Sequence, residues 1–485
     1  MIRMNEAEEI SSKQKQISVS EFFEKNKHFL GFDTLPRAVI TAVKESVDNS
    51  LDACEEARIL PDIRVEIRRT KGDELELITQ DNGPGIPRDA IENVFGKFLL
   101  GSRFHAIRQT RGQQGIGITG VVMYSQLTTG SKTHVVSKIK SDSSAVYVDL
   151  GVDTKKNKAI KSGERRDIWI DDKTGNEISH GLRIRTQMKA KYQRGRKSVY
   201  QYLRMTSIVN PHASISLIVY DKEGSVVEQG NWIRTSNKLP RVVEEIKPHP
   251  HGIQLGTLQR MLREANDRRM TSFLKHNFSG VSPRAAKEIL AIAEVEEGRT
   301  PKRIKAEEAK MMISAFQTVK LLKPPMDCLS PIEDLLIKKG LSKAIDSRFA
   351  STVTRNPSVS QGNPFQIEVG LVFGGDLTSD GPIEILRFAN RVPLMYQQGG
   401  CLLTKALEAV NWKSYGLEQP GGSGIPKGPA AVLIHLASTN VQFTSEAKEA
   451  VSHNEEVFDE IRKAILEDGR GLKNHLKKSS QRKKA

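Results

Sequence analysis

The sequence predicts a multidomain α/β protein, and three observations carry that prediction. At 485 residues the chain is long enough for roughly three domains. Strand-like and helix-like runs alternate in two separate stretches, divided by a mainly helical one that is entered through a proline-containing linker. In the first stretch, the polar helix Lys44-Glu45-Ser46-Val47-Asp48-Asn49-Ser50-Leu51-Asp52-Ala53 is followed by two glycine clusters, Asp81-Asn82-Gly83-Pro84-Gly85 and Gly112-Gln113-Gln114-Gly115-Ile116-Gly117.

Composition narrows the class. The formal net charge of +16 and pI of 9.5 favour a polyanionic partner such as nucleic acid. Cys54, Cys328 and Cys401 lie far apart with no C-x-x-C pair, which argues for a reducing compartment and against a disulfide framework or structural zinc. No apolar run approaches the roughly 18 residues of a membrane span, and the polar N-terminus has no signal core. The expectation is a soluble cytoplasmic protein without membrane contact. No internal repeat is visible.

Residues 1–20 are polar and read as a loose arm. Helical patterning starts near Val19 and breaks at Gly31-Phe32-Asp33, and Leu35-Pro36-Arg37 opens the next helix. Over residues 38–58 the apolar spacing is helical, so Glu45 and Asn49, four apart, share a face with Asp48 and Asp52 beside them. Such a face must meet water, a cation or a phosphate-bearing ligand, because burying unpaired charge costs several kcal/mol each. A solvated helix surface is the bland alternative. Residues 63–69 and 74–79 alternate as strands, the second leading straight into Asp81. A short helix is expected over 90–100, then Gly101-Ser102-Arg103-Phe104. The second glycine cluster runs through Ile118 and Thr119 into residues 120–125, and residues 127–129, 144–150 and 168–170 read as successive strands. The unit closes near Tyr220.

Glycines at these spacings let the backbone approach a ligand and present N–H donors to phosphate oxygens. No G-x-x-x-x-G-K-[ST] is present, so this is not a P-loop. The order E-x-x-x-N on a helix, D-x-G-x-G after a strand and a glycine-rich lid before a helix resembles the GHKL ATPase superfamily, whose Bergerat ATP-binding domain is an α/β sandwich. The resemblance implies ATP and Mg²⁺ as cofactors. The family often carries a threonine in a strand after the lid. Here Ser179-His180-Gly181-Leu182-Arg183-Ile184 has Leu182 at that place, with Thr186 as a substitute further along.

From about Asn231 the character changes. Pro240, Pro248 and Pro250 form a linker whose His249 and His251 lack metal-ligand spacing. Residues 255–277 and 283–295 read as helices joined by Phe278-Ser279-Gly280-Val281-Ser282. This pattern resembles the helix-two-turn-helix insert of topoisomerase VI B subunits, readable as a DNA-binding element or a packed spacer. A helix over 306–322 then leads to the second α/β unit, with strands at 364–373, 383–388 and 430–437 and a helix at 402–410. Arg387-Phe388-Ala389-Asn390-Arg391-Val392-Pro393-Leu394 resembles the transducer domain of gyrase-like ATPases. That domain donates a lysine to ATP just beyond its last strand, and Thr444-Ser445-Glu446-Ala447-Lys448-Glu449-Ala450 supplies Lys448. Lys427, flanked by glycines but ahead of the strand, is the competing choice. From Glu446 a charged helix is expected, ending in a disordered basic tail that could touch DNA.

The resemblance spans residues 20–466 and divides the chain into an arm (1–20), a GHKL ATPase domain (21–228), a helix-two-turn-helix domain (229–305), a transducer domain (306–445), a stalk helix (446–470) and a basic tail (471–485). In this order of domains it resembles the B subunits of type IIB DNA topoisomerases. That family implies catalytic roles for Glu45, which would deprotonate water, and Lys448, which would reach the γ-phosphate. Asn49 would ligate Mg²⁺, Asp81 would accept the adenine amino group, and Gly85, Ser102, Arg103, Gly112, Gln113, Gln114, Gly115, Ile116, Gly117, Ile118 and Thr119 would line the nucleotide. It also implies ATP-driven self-dimerisation, a DNA duplex as partner and a separate DNA-cleaving A subunit in a heterotetramer. A MutL-like repair ATPase and a nucleotide-sensing DNA clamp without turnover are the competing readings.

Overall fold

The computed structural model describes residues 23, 25–27, 30–98, 106–112, 115–153, 158–445 and 448–484. The expected arm, and Ser102, Arg103, Gln113 and Gln114 of the expected site, lie outside the described residues. The chain forms two compact units. One holds residues up to Gly101, 114–200 and 215–231; the other holds 102–113, 201–214 and 232–485.

The first unit is built on an eight-stranded sheet. Its strands are β1 (Asp62–Arg69), β2 (Glu74–Asp81), β3 (Thr133–Lys138), β4 (Ala145–Asp153), β5 (Lys158–Asp167), β6 (Gly181–Lys189), β7 (Ser214–Tyr220) and β8 (Val226–Trp232), in the order β5-β4-β3-β6-β2-β1-β7-β8. Helices α1 (Leu35–Glu56), α2 (Arg88–Gly96) and α3 (Gly117–Thr129) pack against it and one another. In α1, Pro36 sits in the first turn, where its missing N–H is not needed, and Val39, Val43, Val47 and Leu51 are buried at helical spacing. β2 alternates in burial and carries Asp81 at its end.

Two expected strands are corrected here. Residues 127–129 close helix α3 instead: the hydroxyls of Thr128 and Thr129 donate back to the carbonyls of Tyr124 and Ser125, and Gly130 caps the helix at φ 71°. Residues 168–170 follow β5 without forming a strand: Ile170 makes an isolated bridge to Glu177, the Ile178 N–H donates to the Trp169 carbonyl, and Trp169 is buried. β5 itself is exposed along nearly its whole length and so shows no alternation to read.

The second unit contains a helical cluster and a six-stranded sheet. The cluster is α5 (Leu255–Glu264), α6 (Met270–Asn277), α7 (Pro283–Ile292) and α8 (Ala306–Thr318), preceded in the chain by α4 (Val199–Val209). The single helix expected over 255–277 is two, broken where the Asp267 carboxylate accepts from His276 and Asn277. Ser282 caps α7 by accepting from the Ala285 N–H. The sheet comprises β9 (Phe349–Thr354), β10 (Ser358–Ser360), β11 (Asn363–Phe373), β12 (Glu384–Ala389), β13 (Val392–Pro393) and β14 (Ala430–Ser438), with β12 parallel to β14 and the other pairs antiparallel. β11 and β14 are buried almost throughout. Helices α9 (Asp334–Ala344), α10 (Leu402–Glu408) and α11 (Glu455–Lys484) cover them.

The long helix, expected from residue 446, begins at Glu455. Phe443 is bridged to Val451, closing a hairpin whose residues 446 and 447 lie outside the described residues, and α11 starts only after Asn454, whose side chain accepts from the Val457 N–H. It then runs to Lys484, so the expected disordered tail is helical, with Leu472 buried on its inner face. No described helix is long and apolar enough to cross a membrane.

Candidate functional site: a pinned acidic turn and a lysine hairpin

In the first unit, the turn after β2 is fixed from several sides. Asp81 is 5 % exposed. Its Oδ2 accepts from the Ser50 hydroxyl at 2.6 Å and its Oδ1 from the Gly83 N–H at 2.9 Å. Burial pushes its pKa up, against the pull of Ser50, the backbone N–H groups of Gly83 and Leu182, and His180. Asn82 accepts from the Asp62 N–H and donates to the Leu60 carbonyl. His180 meets the Gly83 carbonyl at 2.8 Å, and the Ser137 hydroxyl both accepts from and donates to the Ile86 backbone. At Gly85, φ is 74° and an added Cβ would lie 2.2 Å from the Lys138 carbonyl, so only glycine fits.

α1 presents its polar groups to this region at helical spacing. Glu45 is half-buried and Asn49 exposed, while Asp48, expected on the polar face, is buried. Ser46, Ser50 and Cys54 form a stripe of small residues four apart; Ser50 bonds Asp81 and the Cys54 thiol faces Asn82 Oδ1 at 3.7 Å. That stripe, and not the acidic face, docks the helix on the turn. It was visible in the sequence as small polar residues interrupting an apolar face.

The second glycine cluster is where the chain passes between the units, Gly112 belonging to one and Gly115 to Gly117 to the other. Gly115 has φ 59°. Gly117 opens α3 so close to Glu45 that a Cβ would stand 1.9 Å from Glu45 Oε2. A helix N-terminus, with its unpaired N–H groups and positive dipole end, therefore faces the Glu45 carboxylate. Ile116 and Ile118 are half-buried; Thr119 is buried and its hydroxyl reaches the Val94 and Lys97 carbonyls at 3.4 Å.

Leu182 pairs opposite Asp81, contributing backbone where the family expectation puts a hydroxyl. Thr186 is no substitute: it lies opposite Leu77 and bonds Thr133. The hydroxyl on Asp81 comes from Ser50.

In the second unit, Lys448 sits in the 443–451 hairpin at φ 54° and its Nζ donates to the Arg111 carbonyl at 3.0 Å. Lys427 is exposed and its backbone is fixed by bridges to Pro382 and Glu418. The His249 ring serves the backbone, meeting the Leu322 carbonyl and accepting from the His251 N–H, and the His251 ring packs edge-on against it.

Among the described residues no three His, Cys, Asp or Glu side chains cluster as a metal cage. The exposed Asn49 amide oxygen is a donor of the kind a hard cation takes.

Residues 34–154 match the family of histidine kinase-, DNA gyrase B- and HSP90-like ATPases, and residues 324–485 match the topoisomerase VI B subunit transducer. The B subunit of the type 2 DNA topoisomerase 6 of Methanococcoides burtonii is 48% identical over 479 residues, covering 99% of this chain and 75% of that one. That of Archaeoglobus fulgidus is 47% identical over 473 residues, covering 97% and 76%. That of Natronomonas pharaonis is 34% identical, covering 97% and 80%. With a GHKL ATPase fold at one end, a transducer at the other and identity of this order along nearly its whole length, the chain belongs to the family of type 2 DNA topoisomerase 6 B subunits.

Proposed function

We propose that this chain is the ATP-binding and hydrolysing subunit of a type IIB DNA topoisomerase. In that reading, ATP-driven dimerisation closes a gate around a DNA duplex, and a separate A subunit cleaves the DNA to relax supercoils by double-strand passage. The observation that carries the ATPase reading is the Glu45 carboxylate against the glycine-opened N-terminus of α3, on the same helix whose Ser50 holds Asp81.

The chemistry follows from the groups present. Phosphoryl transfer to water needs an oriented nucleophile and compensation of charge on the transferred group. Glu45 takes the proton of the attacking water, a role worth roughly 10²–10⁴-fold in rate. The N-terminus of α3, with the backbone of Gly112 to Gly117, receives the phosphates. Asp81, held rigid by Ser50 and Gly83, accepts the adenine amino group, and Gly85 lets the base approach the turn. Asn49 provides an oxygen for Mg²⁺, which supplies charge neutralisation on the phosphates when bound. Lys448 contacts the γ-phosphate and is released when that phosphate leaves, which reports the nucleotide state to the transducer. The charge of +16 suits a DNA partner.

The test is ATP turnover by the chain, with DNA and its DNA-cleaving partner, for wild type against Glu45→Ala. The expected result is nucleotide binding without hydrolysis. Unchanged turnover in Glu45→Ala would remove the general base and the site built around it.

A further inference from the structure

Asn390 stands at the meeting point of two segments that the reaction uses. It follows β12 as the first residue of the two-residue turn to β13, and it and Arg391 both have positive φ, 48° and 65°. Asparagine tolerates that conformation; arginine rarely adopts it. Arg391 is held there by burial and by its guanidinium bonds to the carbonyls of Val209, Ser330 and Pro331. Its N–H donates to His435 Nε2, so His435 is neutral and its Nδ1–H donates to Glu368, both fully buried. Burial lowers the His435 pKa, consistent with that state. Backbone strain fixed by so many buried bonds is a mark of a position set for a purpose.

The side chain of Asn390 is fully used. Its Oδ1 accepts from the Ser438 N–H at 2.8 Å, and its Nδ2 donates to the Ser438 carbonyl and to the Thr110 carbonyl, each at 2.9 Å. Ser438 is the last residue of β14, the foot of the segment that carries Lys448. Thr110 precedes Arg111, the residue whose carbonyl Lys448 holds. One amide therefore joins the roots of two segments whose tips are joined by the lysine. The other bonds on the Thr110 side are of the same kind: Gln109 exchanges two side-chain bonds with Ser330, and Arg111 donates to Asn210.

We propose that Asn390 is a positioning residue for ATP hydrolysis, fixing the foot of the Lys448 hairpin to the foot of the glycine segment so that Lys448 engages the nucleotide over one set distance. This rests on the reading of Lys448 as the γ-phosphate contact. When Lys448 moves between the Arg111 carbonyl and the nucleotide, the root joint stays closed, and Gln397, bonded to Thr444 and Glu449, keeps the hairpin in place while the lysine side chain swings. Small displacements of a reacting geometry are expensive, since about 1 Å can lower a rate 10²-fold.

The experiment uses the whole 485-residue chain with its DNA-cleaving partner and DNA. Asn390→Asp keeps the size of the side chain but turns both donors into an oxygen facing the Thr110 and Ser438 carbonyls. Asn390→Gly keeps the φ of 48° unstrained and removes the side chain, so it serves where Asn390→Asp does not fold. The expected result is a fall in kcat of about tenfold or more, with KM and the affinity for a non-hydrolysable ATP analogue changed by less than about threefold. Combined with Lys448→Ala, the Asn390 variant slows turnover no further than Lys448→Ala alone, because both act on one contact. Multiplying effects, or kcat unchanged in both Asn390 variants, would overturn the positioning role. An unchanged rate in Lys448→Ala by itself would instead overturn the reading of the lysine, and the inference with it.

Discussion

Around Asp81 the holding bonds come from α1, β3, the segment before β6, the turn's own Gly83 N–H and, through Asn82, Leu60 and Asp62 at the start of β1. The Lys448 hairpin is held by a short ladder of its own, with Thr444 N–H donating to Ala450 and Ser452 N–H to Gln442, by Gln397, whose amide bonds both Thr444 and Glu449, and by the lysine's bond to Arg111. The first arrangement makes a surface that must not move, because a base is recognised by fixed donors and acceptors. In the proposed reading the second carries the reporter, since a bond to a backbone carbonyl can be exchanged for one to a phosphate at modest net free energy. Recognition and reporting would then occupy separate pieces of chain.

The comparison breaks most sharply at Gly117. A methyl group there would overlap the Glu45 carboxylate, the far end of a flexible side chain, which must swing away to make room. Gly117→Ala is expected to lower ATP turnover by about 10²-fold through displacement of Glu45. The loss does not come from helix propensity, which alanine improves. Gly298→Ala, in open space, is the comparison variant and should turn over ATP as wild type does. Normal turnover in Gly117→Ala would mean that the Glu45 carboxylate is not the group that matters.

A second test separates recognition from stability. Burial raises the Asp81 pKa, so its ionised form is disfavoured in the folded protein. A raised acid pKa contributes stability below the unfolded value and loses it as pH rises through the folded one, which makes the Asp81 carboxylate a net burden at neutral pH. Asp81→Asn is therefore expected to raise the thermal midpoint of the nucleotide-free protein. The same change should weaken ATP binding about tenfold or more, by replacing a charge-assisted bond with a neutral one. Calorimetry with and without nucleotide reads both; a drop in midpoint together with unchanged affinity would show that the carboxylate serves the fold alone.

What the sequence made legible is what chemistry forces into fixed spacing. Glu45 and Asn49 share a helix face, Asp81 ends a strand, and glycines stand where Gly85 and Gly117 are pressed against other atoms; each of these follows from residue type and order. The bonds that hold them were not legible. Ser50, Ser137 and His180 are ordinary polar residues whose partners lie 31, 51 and 97 positions away. Lys448 was placed beyond the last strand correctly, but a helix was expected to start beside it; the hairpin depends on Phe443 and Val451 pairing across the segment, which no local periodicity records. Likewise Thr128 and Thr129 suit a strand by propensity and end a helix because their hydroxyls find carbonyls one turn back.

The smallest expected effect concerns the scaffold under the lysine hairpin and sharpens the contrast in rigidity. α11 packs on β9 and β11, and on its inner face Asp468 is 2 % exposed. Burial pushes its pKa up to about 7, with Asp334 on α9 and the adjacent Glu467 adding to the rise and the Ser351 hydroxyl on β9 opposing it. Glu467 is itself paired with Arg355, which also holds Glu460, so the positive charge in the neighbourhood is already engaged. Because the folded pKa lies above the unfolded value of about 3.9, the stabilisation is complete below about pH 4 and is lost as pH rises through 7. Between pH 5.5 and 8.5 the difference is on the order of 2 kcal/mol, several degrees in the thermal midpoint. Asp468→Asn should leave the protein with a midpoint nearly flat over that interval, while Glu467→Gln, which leaves the buried carboxyl in place, should not. A wild-type midpoint that rises from pH 5.5 to 8.5, with Asp468→Asn following the same slope, would show that the carboxyl is ionised and paired in the folded state and that the helix is held as firmly as the turn around Asp81.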